Sequence, residues 1–296
     1  MSTGPLRVAI VSRDPVLRLE AARAFDAAPA AWIVSLHRTS PPDTDVVVAT
    51  PDVDVPGALP FDPSHPEGVL EAVAARTQID RAHIIVVTSP SGGTGATSVA
   101  LHLAAAAAAR HRTCFIDLDL RWGVMDRLGL PDDVRTWETG EHSADAVVRA
   151  AIPVQGGFRA LLVHESGQGA AAIDAVKGVF DRVVVDAPVE VLSADVLERA
   201  SAGVLVMSPT VPSACRAQRM LDALTTVEWA VVTNRLGPGG EMTRSALERI
   251  LERSVALELP CAPALRDAED DAGLVTTSFS RWRRAIDRLC KALESA

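Results

Sequence analysis

The stretch His-Ile-Ile-Val-Val-Thr-Ser-Pro-Ser-Gly-Gly-Thr-Gly-Ala-Thr-Ser, residues 83–98, decides how the fold of this chain is interpreted. An apolar run is followed by a glycine-rich loop, and residues 99–110 are an alanine-rich stretch with high helix propensity. A strand, a glycine loop and a helix in this order form the context in which backbone N–H groups bind a phosphate at a helix N-terminus. The same residues also fit a simpler interpretation, a glycine turn that joins a strand to a helix.

The glycine loop departs from the usual phosphate-binding pattern, Gly-x-x-x-x-Gly-Lys-Thr/Ser, at two positions. Pro90 replaces the first glycine and Ala96 replaces the lysine, whereas Thr97 keeps the hydroxyl that holds magnesium. Loss of one charge-assisted contact costs about 1.5–3 kcal/mol of binding, and loss of one transition-state donor costs roughly a hundred- to a thousandfold in rate. We therefore expect weak nucleotide binding and little hydrolysis. The residues expected to surround the phosphates are Gly92, Gly93, Thr94, Gly95, Ala96, Thr97 and Ser98.

Two further strands are predicted to end in carboxylates. Residues 113–116 are apolar and lead into Asp117 and Asp119, and residues 180–185 lead into Asp186. Doubly wound sheets place ligands at the C-terminal ends of buried parallel strands, so we expect these aspartates to converge on the glycine loop. Each aspartate taken alone also fits a turn or a helix cap.

These segments together resemble the deviant Walker A ATPases of the MinD/ParA type, and within them the CpaE/TadZ-like and actinobacterial septum-site (Ssd-like) proteins. The resemblance covers about residues 82–265 and implies a doubly wound, mostly parallel α/β sheet with a P-loop-type ATPase core. It also implies ATP or ADP with Mg²⁺ as the ligand. It rests on four motifs: Ser-Gly-Gly-Thr-Gly-Ala-Thr-Ser (91–98), Ile-Asp-Leu-Asp-Leu-Arg-Trp-Gly-Val-Met-Asp (116–126), Gln-Gly-Gly-Phe-Arg-Ala-Leu-Leu-Val (155–163) and Phe-Asp-Arg-Val-Val-Val-Asp-Ala-Pro (180–188).

The resemblance implies a role for each polar residue of these motifs. Thr97, Asp117 and Asp186 would hold Mg²⁺. Asp117, the candidate catalytic residue, and Asp119 would position water. Asn234, in the Asn-Arg pair that follows a predicted strand, would contact the base. These roles make residues of four separate segments members of one site.

Both lysines of the family pattern are missing from the loop. Ala96 stands at the first position, and Ser91 stands where the family has a signature lysine that reaches across an ATP-sandwiched dimer. The chain has only two lysines, Lys177 and Lys291, and neither is near the loop in sequence. Arg121 is the nearest cation within a motif that could replace the missing charge.

The resemblance implies a spatial regulator, either in septum-site determination or in positioning Tad-type pilus and secretion machinery. Such a protein would act through protein partners, with a homodimer as one assembly, and would bind nucleotide as a scaffold with little ATP hydrolysis. The competing interpretation is a genuine slow ATPase in which an arginine replaces the lysine. A tyrosine kinase of the same superfamily is disfavoured because the chain contains no tyrosine.

Residues 1–75 form a separate predicted domain, and residues 76–296 form the MinD/ParA-like domain. The first domain is predicted to be a truncated, atypical receiver-like α/β unit, with strands at residues 6–12, 31–36 and 45–49 and a helix at residues 16–28. Its strand 45–49 ends in Ala-Thr-Pro where a receiver has its phosphate-accepting aspartate, and residues 39–66 contain no further predicted element. We expect a docking or dimerisation surface, or a sheet extension with no partner.

Composition limits the remaining classes. The 296 residues are 48% hydrophobic, which supports a sizeable core, and the formal charge of −9 disfavours nucleic acid as a partner. Neither a secretory leader nor an apolar stretch of about 18 residues is recognisable, so we expect a cytoplasmic protein, recruited to membrane, septum or pole by its partners. The four cysteines lack metal-ligand spacing and are expected to be reduced.

The last segment, residues 278–294, carries an apolar stripe flanked by basic side chains. The stripe fits a peripheral contact with anionic lipid, but a final helix that packs on the sheet is the favoured interpretation. The stripe consists of Phe279, Trp282, Ile286, Leu289 and Leu293.

Overall fold

The computed structural model describes most of the chain, and the architecture below refers to these residues alone. They are residues 6–28, 32–39, 44–66, 68–77, 82–119, 123–131, 134, 136–137, 144–163, 165, 167–236, 242–275 and 280–294.

The N-terminal part folds into a four-stranded parallel sheet with two helices. The elements are β1 (Leu6–Val11), α1 (Pro15–Ala24), β2 (Trp32–His37), β3 (Val46–Ala49), β4 (Leu59–Pro60) and α2 (Gly68–Thr77). The strand order is β2-β1-β3-β4, which matches the first four strands of the flavodoxin-like order 2-1-3-4-5. Its core consists of apolar side chains of the strands and of both helices, among them Val8, Ile10, Val48, Ala21 and Val73.

The prediction that residues 39–66 hold no further element is wrong, because β4 lies in this range and pairs with β3. A two-residue strand that includes Pro60 has no periodicity from which a sequence pattern can predict it. The helix predicted over residues 16–28 ends earlier, at Ala24, where Phe25 caps it and turns into the core. Strands β1, β2 and β3 lie within one or two residues of their predicted bounds.

The C-terminal part is built on an eight-stranded sheet that is parallel except for its last strand. The strands are β5 (His83–Thr88), β6 (Thr113–Asp117), β7 (Ile152–Pro153), β8 (Arg159–Leu162), β9 (Arg182–Asp186), β10 (Ala202–Met207), β11 (Trp229–Leu236) and β12 (Val255–Pro260). Their order is β12-β11-β10-β5-β9-β6-β8-β7, with β7 antiparallel to β8. The α/β fold class with a mostly parallel sheet is therefore confirmed.

Helices cover both faces of this sheet. They are α3 (Ala96–Ala108), α4 (Gly123–Leu128), α5 (Ala144–Ala150), α6 (Gly169–Val176), α7 (Ala194–Arg199), α8 (Val211–Ala223), α9 (Arg244–Leu251), α10 (Pro263–Asp270) and α11 (Arg281–Leu293). Residues of α3, α4 and α11 share one core with one face of the central strands. The opposite face packs against α5, α6 and α7 at one end and against α8 and α9 at the other.

The order of the strands fixes where a ligand can enter. β5 lies between β9 and β10. From β5 the chain first builds β6 to β9 on one side, and it then crosses over to build β10 to β12 on the other. The connections thus diverge at β5, and ligands bind at such a switch point, beyond the C-terminal ends of the strands. The glycine loop leaves the sheet at this point.

Helix α11 settles the two interpretations of the apolar stripe in favour of packing. Trp282, Ile286, Leu289 and Leu293 are all buried, and they pack with α3 in the core of the sheet. The favoured interpretation, packing on the sheet, is therefore confirmed, and the alternative of a lipid contact through this stripe is wrong because its apolar side chains are covered by protein. Phe279 lies outside the described residues. Among the helices of the described ranges, none is both long enough and apolar enough to cross a bilayer.

Candidate functional site

The glycine loop between β5 and α3 has the backbone shape of a phosphate cradle. Gly93 and Gly95 have φ angles of 77° and 88°, in the left-handed region that favours glycine. A Cβ atom added at Gly95 would collide with the side-chain nitrogen of Asn234. Glycine is therefore required at position 95 both by the backbone angle and by the packing of Asn234 over the loop.

The start of α3 presents donors that no group of the described residues satisfies. Gly95 is the N-cap and offers no side chain to the helix, so the amides of Ala96, Thr97 and Ser98 have no acceptor among the described residues. The hydroxyl of Thr94 is buried and also lacks a partner within those residues. Because unpaired amides and the helix dipole both attract negative charge, this end of α3 suits a phosphate.

Two carboxylates are buried at the ends of adjacent strands. Asp117 on β6 and Asp186 on β9 are register partners, and each is less than 5% exposed. Burial raises the pKa of both side chains above the usual range for aspartate, and the Asp186 charge raises that of Asp117 further. The hydroxyl of Thr97 lies near enough to Asp186 to oppose this shift, while the second carboxylate oxygen of Asp186 has no partner in the described part of the chain.

The aspartates predicted to converge divide between two roles. Asp119 and Asp186 line the cavity beside the glycine loop, whereas Asp117 does not. The carboxylate of Asp117 instead accepts a hydrogen bond from the amide of Asp119 at 2.9 Å, which fixes the turn after β6. Asp119 thus faces the space where a ligand would lie, and Asp117 supports it from behind.

Asn234 braces the loop. Its side-chain amide donates to the carbonyl of Thr94 at 2.8 Å, and its side-chain oxygen accepts from the amide of Arg235 at 2.9 Å. The pairing of β11 with β12 is irregular here, and Arg235 has a φ angle of 69°. Asn234 lies inside β11, at this irregularity, rather than after the strand as predicted. Asn234 was predicted to contact a base, and in the structure its side chain contacts the glycine loop.

Arg127 is a functional candidate that the sequence alone did not indicate. It lies on α4, lines the cavity and donates to the hydroxyl of Ser98 at 2.8 Å. It also forms an ion pair with Glu269 of α10, whose carboxylate accepts from Ser98 as well. A short helix after the Asp-Leu-Asp motif gives no sequence signal for this, because the three residues meet only in the tertiary structure. Arg121, the predicted substitute cation, lies outside the described residues.

Apart from Asp117, these groups line one cavity of about 880 Å³. This volume lies in the range of small-molecule and cofactor sites. Pro188, Pro260 and Cys261 form part of its apolar rim, and the cations that line it among the described residues are Arg127, Arg235 and Arg266. Neither lysine of the chain is among the lining residues.

The donor set fits Mg²⁺ only in combination with a phosphate ligand. No group of three or more acidic, histidine or cysteine side chains within the described ranges is arranged to hold a metal ion by itself. Mg²⁺ is usually bound by one or two carboxylates together with substrate phosphates and water, rather than by an all-protein cage. The unpartnered oxygen of Asp186 and the neighbouring Thr97 hydroxyl match that requirement.

Comparison with known proteins agrees with this geometry. The family model of the CobQ/CobB/MinD/ParA nucleotide-binding domain matches residues 85–275. No curated protein is significantly similar in sequence.

Solved structures resemble the chain in fold. The septum site-determining protein MinD complexed with Mg-ADP from Pyrococcus horikoshii OT3 is 18% identical with a TM-score of 0.62, covering 72% of this chain and 96% of that one. The cell division ATPase MinD of Pyrococcus furiosus is 21% identical with a TM-score of 0.63, covering 73% and 99%. A ParA family ATPase from Chlorobium tepidum TLS is 15% identical with a TM-score of 0.59, covering 72% and 98%. Since the family model spans more than half of the sequence, the chain belongs to the CobQ/CobB/MinD/ParA nucleotide-binding domain family.

Proposed function

We propose that this protein binds an adenine nucleotide with Mg²⁺ in the cavity at the start of α3. The nucleotide shifts the conformation of the protein and is hydrolysed little. The observation that carries the proposal is a set of groups at one point that are unsatisfied within the described residues: the amides of Ala96 to Ser98, the Thr94 hydroxyl and one oxygen of Asp186. Buried polar groups in native proteins normally have partners, so a set without them indicates a missing ligand.

Each residue has a defined task in this proposal. The loop amides and the Thr94 hydroxyl would donate to phosphate oxygens, and Thr97 with Asp186 would hold Mg²⁺, which supplies charge neutralisation between the phosphates. Asp119 would orient water at the cavity side of the sheet. With Ala96 in place of lysine, the cradle lacks a fixed cation for transition-state charge, and turnover would fall by roughly a hundred- to a thousandfold.

The similar structures support a role in spatial organisation. They include septum site-determining MinD, a MinC:MinD cell division complex from Aquifex aeolicus and a ParA family ATPase. We propose that this chain is a degenerate, CpaE/Ssd-like member that regulates septum placement or the positioning of pilus and secretion machinery in the cytoplasm. Nucleotide would bias its surface towards one protein partner through different affinity for two conformations.

The N-terminal unit would serve as the docking or dimerisation part, with the boundary near residue 75, and it would not accept a phosphoryl group. Ala49 ends β3 where an acceptor carboxylate would be needed. The nearest carboxylate, Asp52, accepts from the amides of Arg13 and Asp14 and from the hydroxyl of Ser12 at 2.7–3.0 Å. A carboxylate engaged in this way fastens two loops together and is poorly placed for attack on a phosphodonor.

Titration calorimetry with Mg-ADP and Mg-ATP tests the nucleotide proposal. We expect a dissociation constant below about 100 μM, which corresponds to roughly 5.5 kcal/mol of binding free energy. Asp186→Ala should abolish the dependence of binding on Mg²⁺. Asp174→Ala is the matched control, because Asp174 lies on α6 in an ion pair with Arg199, away from the cavity. Absence of binding heat at millimolar nucleotide would contradict nucleotide binding, and the protein would then act as a scaffold without nucleotide.

The competing function is a slow ATPase that uses an arginine. It is favoured by one observation, the presence of three arginines and the Asp119 carboxylate around the same cavity. Single-turnover phosphate release separates the two functions. Saturable release that is lost in both Asp119→Asn and Asp117→Ala would establish the ATPase and contradict the scaffold with little hydrolysis.

A further inference from the structure

The carboxylate of Glu269 lies beside the first turn of α3, which follows the glycine loop. It belongs to α10, and it accepts hydrogen bonds from two groups: the hydroxyl of Ser98, third residue of α3, and the guanidinium of Arg127. Arg127 in turn donates to the same Ser98 hydroxyl at 2.8 Å. These three side chains come from three helices and all line the nucleotide cavity. A carboxylate that accepts from an arginine and from a hydroxyl in the first turn of a helix has donors of the kind that a phosphate oxygen takes.

Arg127 is the cation best placed to reach a phosphate. Its charge acts on Asp186, which lies deep in the cavity, and its guanidinium already contacts the residue that follows Thr97. The side chain is about one third exposed, so the guanidinium can exchange partners without opening the core. Arginine presents five N–H donors in a planar fork, and this fork matches phosphate as well as carboxylate.

Glu269 is held by a lightly anchored element. Helix α10 has no fully buried residue, and only side chains such as Leu265 pack partly against the main core. The ion pair with Arg127 is itself partly exposed, and pairs of this kind contribute about 0.2–1 kcal/mol. A phosphate that offers a doubly charged acceptor can therefore compete successfully for the same guanidinium.

We propose that Arg127 supplies the positive charge that this loop lost with its lysine, and that Glu269 is an internal competitor which occupies Arg127 until a nucleotide phosphate displaces it. The inference rests on the proposed nucleotide binding at this cavity. It adds a named phosphate contact on α4 and an autoinhibitory contact on α10. The two residues have opposite effects on affinity, although they belong to the same ion pair.

Calorimetry with Mg-ADP on the full chain and four single variants tests the proposal. Arg127→Gln should weaken binding about ten- to a hundredfold, as expected for loss of a charge-assisted hydrogen bond. Glu269→Gln should strengthen binding roughly two- to fivefold, since it releases the guanidinium from a weak ion pair. Arg199→Gln and Asp174→Asn are the matched controls: they make the same charge changes in a partly exposed ion pair away from the cavity and should alter affinity less than about twofold.

The opposite signs separate this role from a structural one. If the ion pair merely held the fold, both Arg127→Gln and Glu269→Gln would weaken binding and lower the melting temperature together, and the proposal would be overturned. Unchanged affinity in Arg127→Gln, with normal binding by the wild type, would also overturn it and leave the nucleotide site intact. No binding by the wild type would instead remove the proposed function on which the inference rests. The double variant, Arg127→Gln with Glu269→Gln, should bind Mg-ADP as weakly as Arg127→Gln alone.

Discussion

At the scale of single residues, Gly95 connects the loop conformation to the rest of the site. Its φ angle is 88°, and the side-chain nitrogen of Asn234 lies so close to its Cα that only a hydrogen atom fits on that side. Gly92, three residues earlier, has an ordinary φ angle and open space where a side chain would begin. The two glycines therefore look alike in sequence and differ in what the fold demands of them.

We expect Gly95→Ala to lower the free energy of unfolding by at least about 1–2 kcal/mol, because an L-residue in the left-handed region carries that cost before any clash is counted. It should also displace Asn234 and weaken Mg-nucleotide binding. Gly92→Ala is the control and should leave both quantities nearly unchanged. Chemical denaturation and calorimetry measure them, and equal losses in the two variants would contradict the assigned role of Gly95.

Asp186 is a residue whose burial costs stability in the absence of a ligand. Its carboxylate is 2% exposed, lies beside Asp117 and has one oxygen without a partner among the described residues. We expect Asp186→Asn to raise the free energy of unfolding of the free protein at pH 7 by about 1–3 kcal/mol, because it removes a buried charge while keeping the side-chain shape. The same change should remove the Mg²⁺ dependence of nucleotide binding.

Denaturation of Asp186→Asn and Asp174→Asn together measures this effect. Asp174 is a useful comparison because it is partly exposed and paired with Arg199 and Lys177, so its replacement should lower stability slightly. A loss of stability in Asp186→Asn comparable to that in Asp174→Asn would show that the buried carboxylate is satisfied by protein alone.

At the scale of the element, α3 is tied to the C-terminal segment through His102. Its Nδ1 donates to the carbonyl of Ser98 at 2.7 Å, and its Nε2 accepts from the amide of Val275 at 2.9 Å. Its ring packs edge-on against Trp282 of α11, with the centroids 4.6 Å apart. Only the neutral imidazole can donate at one nitrogen and accept at the other, so both bonds require the uncharged form.

Burial lowers the pKa of His102 to about 4 from its ordinary value of 6.5, the bond to Ser98 opposing the shift in part. A depressed pKa of the folded state means that the contribution to stability is complete above pH 6.5 and is lost as the pH falls towards 4. We expect a loss of about 3 kcal/mol over this window, since one pKa unit corresponds to about 1.4 kcal/mol.

Urea denaturation from pH 7 to pH 4 measures this loss. Asp117 and Asp186 act in the opposite direction, because their raised pKa values favour the folded state at low pH. The contribution of His102 is therefore the difference between wild type and His102→Gln, in which an amide can keep both bonds. His111→Gln, near the end of the same helix, is the control. Parallel pH profiles for wild type and His102→Gln would exclude the assigned role.

At the scale of the whole molecule, the loop residues bear on assembly. Ser91 stands at the loop position where the pattern that the sequence resembles has a lysine that would reach across a dimer. We expect Mg-ATP to leave the molecular mass in solution unchanged at concentrations that saturate the site, because no lysine of the chain lines the cavity. Light scattering after size exclusion measures the mass. A nucleotide-dependent doubling would favour the slow ATPase with an arginine acting between subunits.

Several central elements of the C-terminal part were predicted from the sequence alone. Valine- and isoleucine-rich runs such as residues 83–87 and 183–185 form central strands because buried parallel strands take β-branched residues on both faces. The loop at residues 92–95 is equally local, since its shape depends on glycine φ angles. Short elements such as β4 and α4 were not predicted, because they contain too few residues to repeat a hydrophobic pattern.

What only the tertiary structure decided is which distant side chains share the cavity. Asn234 reaches Thr94 across 140 positions and Glu269 reaches Ser98 across 171 positions, and no periodicity encodes such pairs. The sequence placed Asp117 and Asp119 together in the site, yet one faces the cavity and the other lies behind it. Local patterns determine strands, helices and glycine turns through short-range backbone and burial preferences. The contacts of a charged side chain depend instead on how whole helices pack on the sheet, and this packing brings Arg127 of α4 to the hydroxyl of Ser98 at the start of α3.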